Sequence, residues 1–144
     1  MTAADMTHDE ILAAVAYLQA VWEDDADAVA VLSSRDDSER SILDLVIDLA
    51  DRVGQLDLLA RLGIHDADSL DGEEREAVNA RVDADPAAGV TAALMHTYRA
   101  WAKTAQGPAV RDLSMAVIGY LALIAQVDDV QQIFEMMRTS VLSG

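Results

Sequence analysis

The sequence predicts an all-α fold, a single-domain bundle of about seven helices over residues 1–144, with an apolar helix at 108–126 as its central element. Three observations carry this. Apolar residues recur every three or four positions over most of the chain, which is the period of one helix face. No segment shows the strict alternation that marks a half-buried strand. The only two prolines, Pro86 and Pro108, sit where helices are expected to begin, and proline is at home in a first helical turn.

Taken in order, Thr7 is an N-cap, Glu10 three residues on completes a capping box, and Met6 can staple onto Ile11. Ile11, Val15, Leu18 and Trp22 follow at helical spacing, flanked by Ala14, Tyr17 and Val21. The acidic cluster Glu23, Asp24 and Asp25 ends this helix or opens a short one over about 25–33, which is expected to bury Val29, Val31 or Leu32. After a turn, a long helix is predicted over about 38–62, with Gly63 as its C′ residue. One stripe on it is Ile42, Leu45, Val46, Leu49, Val53 and Leu56; a second is Leu43, Ile47 and Ala50. It therefore packs on two neighbours and shows water a narrow arc of Asp37, Asp44, Asp48, Asp51, Arg52 and Gln55, with Gly54 as a candidate kink.

Residues 65–72 read as a loop and 73–82 as a polar helix. That helix should be the least stable, because packing of an apolar face supplies most helical stability. Asp85 then caps a helix opened by Pro86, with Val90, Leu94, Tyr98 and Trp101 inward. The next helix starts at Pro108. From 113 to 125 one serine is its only clearly polar side chain. Such a helix is a core element, and the run is short of the roughly 20 apolar residues that cross a bilayer, so no membrane partner is expected. Asp128 or Asp129 caps a last helix whose stripe is Val130, Ile133, Phe134, Met137 and Val141, leaving Met136 and Leu142 off it.

Composition narrows the function. There is no cysteine, hence no disulfide framework or thiolate chemistry. The opening residues carry acids and no base, unlike a secretory signal, so a cytoplasmic location is expected. One lysine against nine arginines is the bias of a GC-rich, bacterial coding sequence. Asp-Ala-Asp occurs at 25–27, 66–68 and 83–85 without constant spacing, and helix capping accounts for it. His8, His65 and His96 form no helical pair at i, i+4, and HExxH is absent. The acidic loop from Asp66 to Glu74 fails the calcium-loop register, with Leu70 at the fifth position and Asp71 where glycine belongs. No GxSxG elbow and no Gly-rich phosphate loop is present. The chain is therefore expected to be non-catalytic, with no cofactor and no metal.

Charge is the clearest signal. Residues 1–85 hold 22 acids and 6 arginines, whereas residues 86–144 hold 4 acids and 4 cations. The whole net charge of −16 belongs to the first part. Polyanion binding works by Lys and Arg releasing counterions from phosphates, so nucleic acid is not an expected partner. General solubility explains part of this acidity. Beyond that, the expected function is an acidic adaptor or regulatory protein that binds a basic protein partner through residues 23–51, with Asp37, Asp44, Asp48 and Asp51 in the contact row. An immunity-type or antitoxin-type inhibitor is a special case. The alternative is a carrier or sensor of a small apolar ligand held beside Gly119 by Met115 and Tyr120. If no ligand sits there, Gly119 marks a close helix–helix approach. His96, Arg99 and Lys103 form a small basic face. It is expected either in a homodimer interface with Met136, made by residues 86–144, or against Asp44, Asp48 or Asp51 of the same chain.

Overall fold

The first five helices begin at side-chain caps, whereas the sixth begins at Pro108 without one. The computed structural model describes residues 6–34, 40–64 and 69–143, and these form seven α-helices and no strand. They are α1 (His8–Trp22), α2 (Ala26–Ser33), α3 (Ile42–Arg61), α4 (Gly72–Ala84), α5 (Pro86–Ala102), α6 (Pro108–Ala125) and α7 (Val130–Ser143). Thr7 and Glu10 make the capping box of α1, with the two reciprocal bonds at 3.1 and 3.0 Å. Asp71 and Glu74 do the same for α4. Asp25, Ser41 and Asp85 cap α2, α3 and α5, and Pro86 fills the first turn of α5. Beyond α3, Gly63 takes a left-handed φ of +81°. The Ile64 N–H can then reach back to the Leu59 carbonyl at 2.9 Å, so the frayed carbonyls of the last turn are satisfied.

Helix α3 packs on α1, α5 and α6, while α6 touches α1, α3, α5 and α7. Helix α1 also carries α2, and α4 rests on α5. The shared core contains Tyr17, Leu18, Leu45, Ile47, Leu49, Met95, Leu113, Ile118, Leu121 and Phe134, all fully buried. Each contributes about 1.5–3 kcal/mol by leaving water. The α7 stripe packs on this core as its spacing requires.

As formed, α6 is 18 residues long, longer than its purely apolar run, and by length and composition it reaches the threshold for crossing a membrane. Here Leu113, Ser114, Val117, Ile118 and Leu121 are buried against the neighbouring helices, and an outward strip with Gly119 and Leu123 is exposed.

Several side chains expected inside lie outside. Val90 and Trp101 are exposed on α5, whose buried anchors are Met95 and Tyr98. Moving the inward face by one residue rotates a helix by about 100°, and both faces of α5 hold enough apolar residues to satisfy the period. Val31, Leu56 and Trp22 are exposed too. The expected close approach at Gly119 is not found, since a β-carbon there would meet nothing within 4 Å. It occurs at Gly54, which is buried under Tyr120 within an unbroken α3.

Candidate functional site

Asp44, Asp48, Asp51 and Gln55 stand on one stripe of α3 because their spacing is three or four residues. Helix α5 runs alongside and brings Arg99 to them. Its guanidinium donates to Asp48 Oδ1 at 3.2 Å and to Asp51 Oδ2 at 3.0 Å. Arg40 lies just before the Ser41 cap. It donates to Glu10 Oε2 at 3.1 Å and to Asp48. Gln55 is buried and donates to Asp51 Oδ1 at 3.1 Å. The result is a continuous chain Glu10–Arg40–Asp48–Arg99–Asp51 that ties α1, α3 and α5 together.

The electrostatics follow from this geometry. Burial acts to lower the Arg99 pKa, but hydrogen bonds to Asp51 and Asp48 outweigh it and hold the proton more tightly than usual. Arg40 behaves alike, with Glu10 and Asp48 overcoming burial. The backbone N–H of Thr7, helped by Arg40, keeps the Glu10 carboxyl below its ordinary range. A cleft of about 210 Å³ opens beside the network between α3 and α5, lined in part by Asp51, Gln55, Thr91 and Arg99. Tyr120 reaches this region from α6, its hydroxyl 3.5 Å from Thr91 Oγ1. Burial raises the phenol pKa of both Tyr120 and Tyr98.

The residues singled out by sequence divide as follows. Asp48 and Asp51 are engaged by Arg99 within the chain, the arrangement in which the basic face meets the aspartates of its own bundle. Asp44 is exposed in the first turn of α3, and Asp37 lies outside the described residues. Lys103 and His96 are exposed, as is Met136. Met115 and Tyr120 are half-buried and pack on the core, whereas Gly119 faces outward, so these three do not line one pocket. Among the described residues no group of three His, Asp or Glu side chains is placed to hold a metal ion.

Comparison with known protein families, with curated proteins and with solved structures gave no match.

Sequence reasoning missed Arg40 and the ion-pairing role of Glu10, and it placed Gln55 on the water-facing arc, where the structure buries it against Asp51. Glu10 was explained by its capping role alone, and Arg40 is separated from it by 30 positions, so no local period connects them. Chemically, the network pairs Glu10, Asp48 and Asp51 with two guanidinium groups and so links α1, α3 and α5. Exposed acids stand elsewhere: Glu23 and Asp27 at the α1–α2 corner, and Asp44 at the start of α3.

Proposed function

We propose that this chain is a non-catalytic, cytoplasmic interaction protein that takes a basic protein partner on its acidic surface. One observation supports the reading: the described acids of residues 23–51 are of two kinds. Asp48 and Asp51 are paired with Arg40 and Arg99 within the bundle, while Glu23, Asp27 and Asp44 are exposed. A surface of one sign raises the encounter rate with an oppositely charged partner and loses that advantage in salt. The contact set of this proposal is therefore Glu23, Asp27 and Asp44.

The test is affinity capture of partners from the source cell at low and high salt. A basic protein should be enriched by the wild type, released by salt, and lost from a Glu23→Gln/Asp27→Asn/Asp44→Asn variant of unchanged helicity. Capture that ignores both salt and the triple substitution would overturn the reading.

A second feature supports self-association. Val90, Trp101, Leu123 and Met136 are exposed apolar side chains in the near-neutral part of the chain. In a homodimer built there, Lys103 and Met136 are the exposed members of the contact set, while Arg99 is held by α3 of its own protomer.

A further inference from the structure

A cavity of about 280 Å³ lies between the last turns of α1, the short helix α2 and the first turn of α6. Tyr17, Val21, Val29 and Val110 are among its wall residues, and two charged residues, Asp24 and Arg111, also line it. The hydroxyl of Tyr17 is already bonded to Ser114 Oγ at 3.1 Å, and Ser114 donates to the Val110 carbonyl at 2.8 Å. With those polar groups committed to each other, the interior is suited to an apolar group.

The two charges are differently placed. Asp24 Oδ1 and Arg111 Nε are 3.8 Å apart, beyond hydrogen-bond reach, and both side chains are more than half exposed. Each has most of its hydrogen-bonding capacity open to a third group. A lone carboxylate drawn to Arg111 would face Asp24, and a lone ammonium drawn to Asp24 would face Arg111. A ligand that carries both charges on one carbon satisfies both.

The roof can move. Helix α2 has no fully buried residue and packs chiefly on α1. The chain enters it through Asp24, whose φ of +60° is left-handed, a conformation that Asp and Asn tolerate better than other side chains.

We propose that this cavity is a binding site for a free α-amino acid with an apolar side chain. The ammonium pairs with Asp24, the carboxylate pairs with Arg111, and the side chain enters between α1, α2 and α6. The space of about 280 Å³ is large enough to admit a side chain the size of leucine. Asp24 lies in sequence between Glu23 and Asp27 of the proposed partner surface, but the amino-acid site does not depend on that surface taking a partner.

The experiment is a methyl-resolved NMR titration of the full chain with L-leucine, with isocaproate, which lacks the ammonium, and with isoamylamine, which lacks the carboxylate. Leucine should give saturable shifts at the Val21, Val29 and Val110 methyls. Both analogues should bind about tenfold more weakly or worse, since each loses one charge-assisted bond. Arg111→Gln and Asp24→Asn should each weaken leucine by about the same factor, the latter keeping a residue that accepts the left-handed backbone. Ala30→Trp, on the exposed side of α2 and against the cavity, should abolish binding while circular dichroism stays unchanged. The proposal is overturned by no saturable shift with leucine, by either analogue binding as tightly as leucine, by Arg111→Gln leaving affinity unchanged, or by shifts confined to methyls of α3 and α7.

Discussion

The Tyr120 hydroxyl occupies the space in which a β-carbon on residue 54 would have to sit. Thr91 Cγ2 is also close, at 3.2 Å from that point. Glycine at 54 is thus a packing requirement of the α3–α6 contact, whereas Gly119 on the open side of α6 meets nothing. Ala in place of Gly in a helix gains about 0.8–1 kcal/mol, and overpacking a tight contact costs about 1–3 kcal/mol. Gly119→Ala should therefore raise the melting temperature, and Gly54→Ala should lower it, by about 1 kcal/mol of stability net. In a Tyr120→Phe background the 120 hydroxyl is gone, the ring carbon behind it lies at an ordinary 3.4 Å and only the tight Thr91 contact remains, so Gly54→Ala should cost less than in the wild type. Calorimetry on the four variants checks this. A stabilising Gly54→Ala in the wild type would mean that Tyr120 does not sit there.

Arg99 separates two carboxylates that share one helix stripe. Replacing it with methionine keeps much of the packing of its stem but leaves Asp48 and Asp51 to repel at i, i+3. Exposed pairs are worth at most about 1 kcal/mol; here the carboxylate side chains are only 16% and 20% exposed, and Arg99→Met should cost about 1–2 kcal/mol in low salt. The loss should shrink at molar salt, where the screening length falls to about 3 Å. Denaturant unfolding at two salt concentrations measures it, and a loss below the error in both would reduce the network to surface decoration.

How much of this could be read from the chain depends on the range of the contact. Caps are local, and Thr7 with Glu10, Asp85 with Pro86, and Gly63 were legible because the residues that satisfy one another are neighbours. The α7 stripe was legible because one clean period carries it. The α5 face was not, since Leu94 and Tyr98 fit an inward set with either Trp101 or Met95. Which glycine abuts a neighbour was not legible either: Gly54 and Gly119 look alike in sequence and differ only by what another helix places opposite. The ion network was legible in part: the alternative that sets Arg99 against Asp48 and Asp51 of its own chain is the one found, whereas the Arg40–Glu10 pair, 30 positions apart, follows no local period.

Acid should weaken the α1–α3 link in a defined window. The folded pKa of Glu10 is lowered, so its contribution is fully present above the unfolded value of about 4.3. It is lost as pH falls through the lower folded value. Glu10→Gln preserves the capping box, which accepts glutamine at that position, and removes the titrating charge. The wild type should melt higher than Glu10→Gln at pH 7, and the gap should close below about pH 4. Thermal melts across that range test it; a gap that widens in acid would reverse the sign.

Met136 tests the self-association reading. Its side chain is 56% exposed on α7, so Met136→Glu should leave helicity and melting cooperativity intact. If residues 86–144 form a homodimer, light scattering should show the dimer mass in the wild type and a shift toward monomer in the variant. A monomer mass for the wild type at micromolar concentration, in low and high salt, would end the dimer reading.

The slight anchorage of α4 has a kinetic consequence. Val82 is its one fully buried residue, and its support comes chiefly from α5. Two well-formed ends, the Asp71–Glu74 box and Asp85, keep it wound, yet undocking it uncovers little apolar surface. Its amides should therefore exchange with solvent deuterium through an opening of low free energy that denaturant barely promotes, while those of α1, α3 and α6 wait for global unfolding. The cooperative folding unit of this protein is then smaller than its domain.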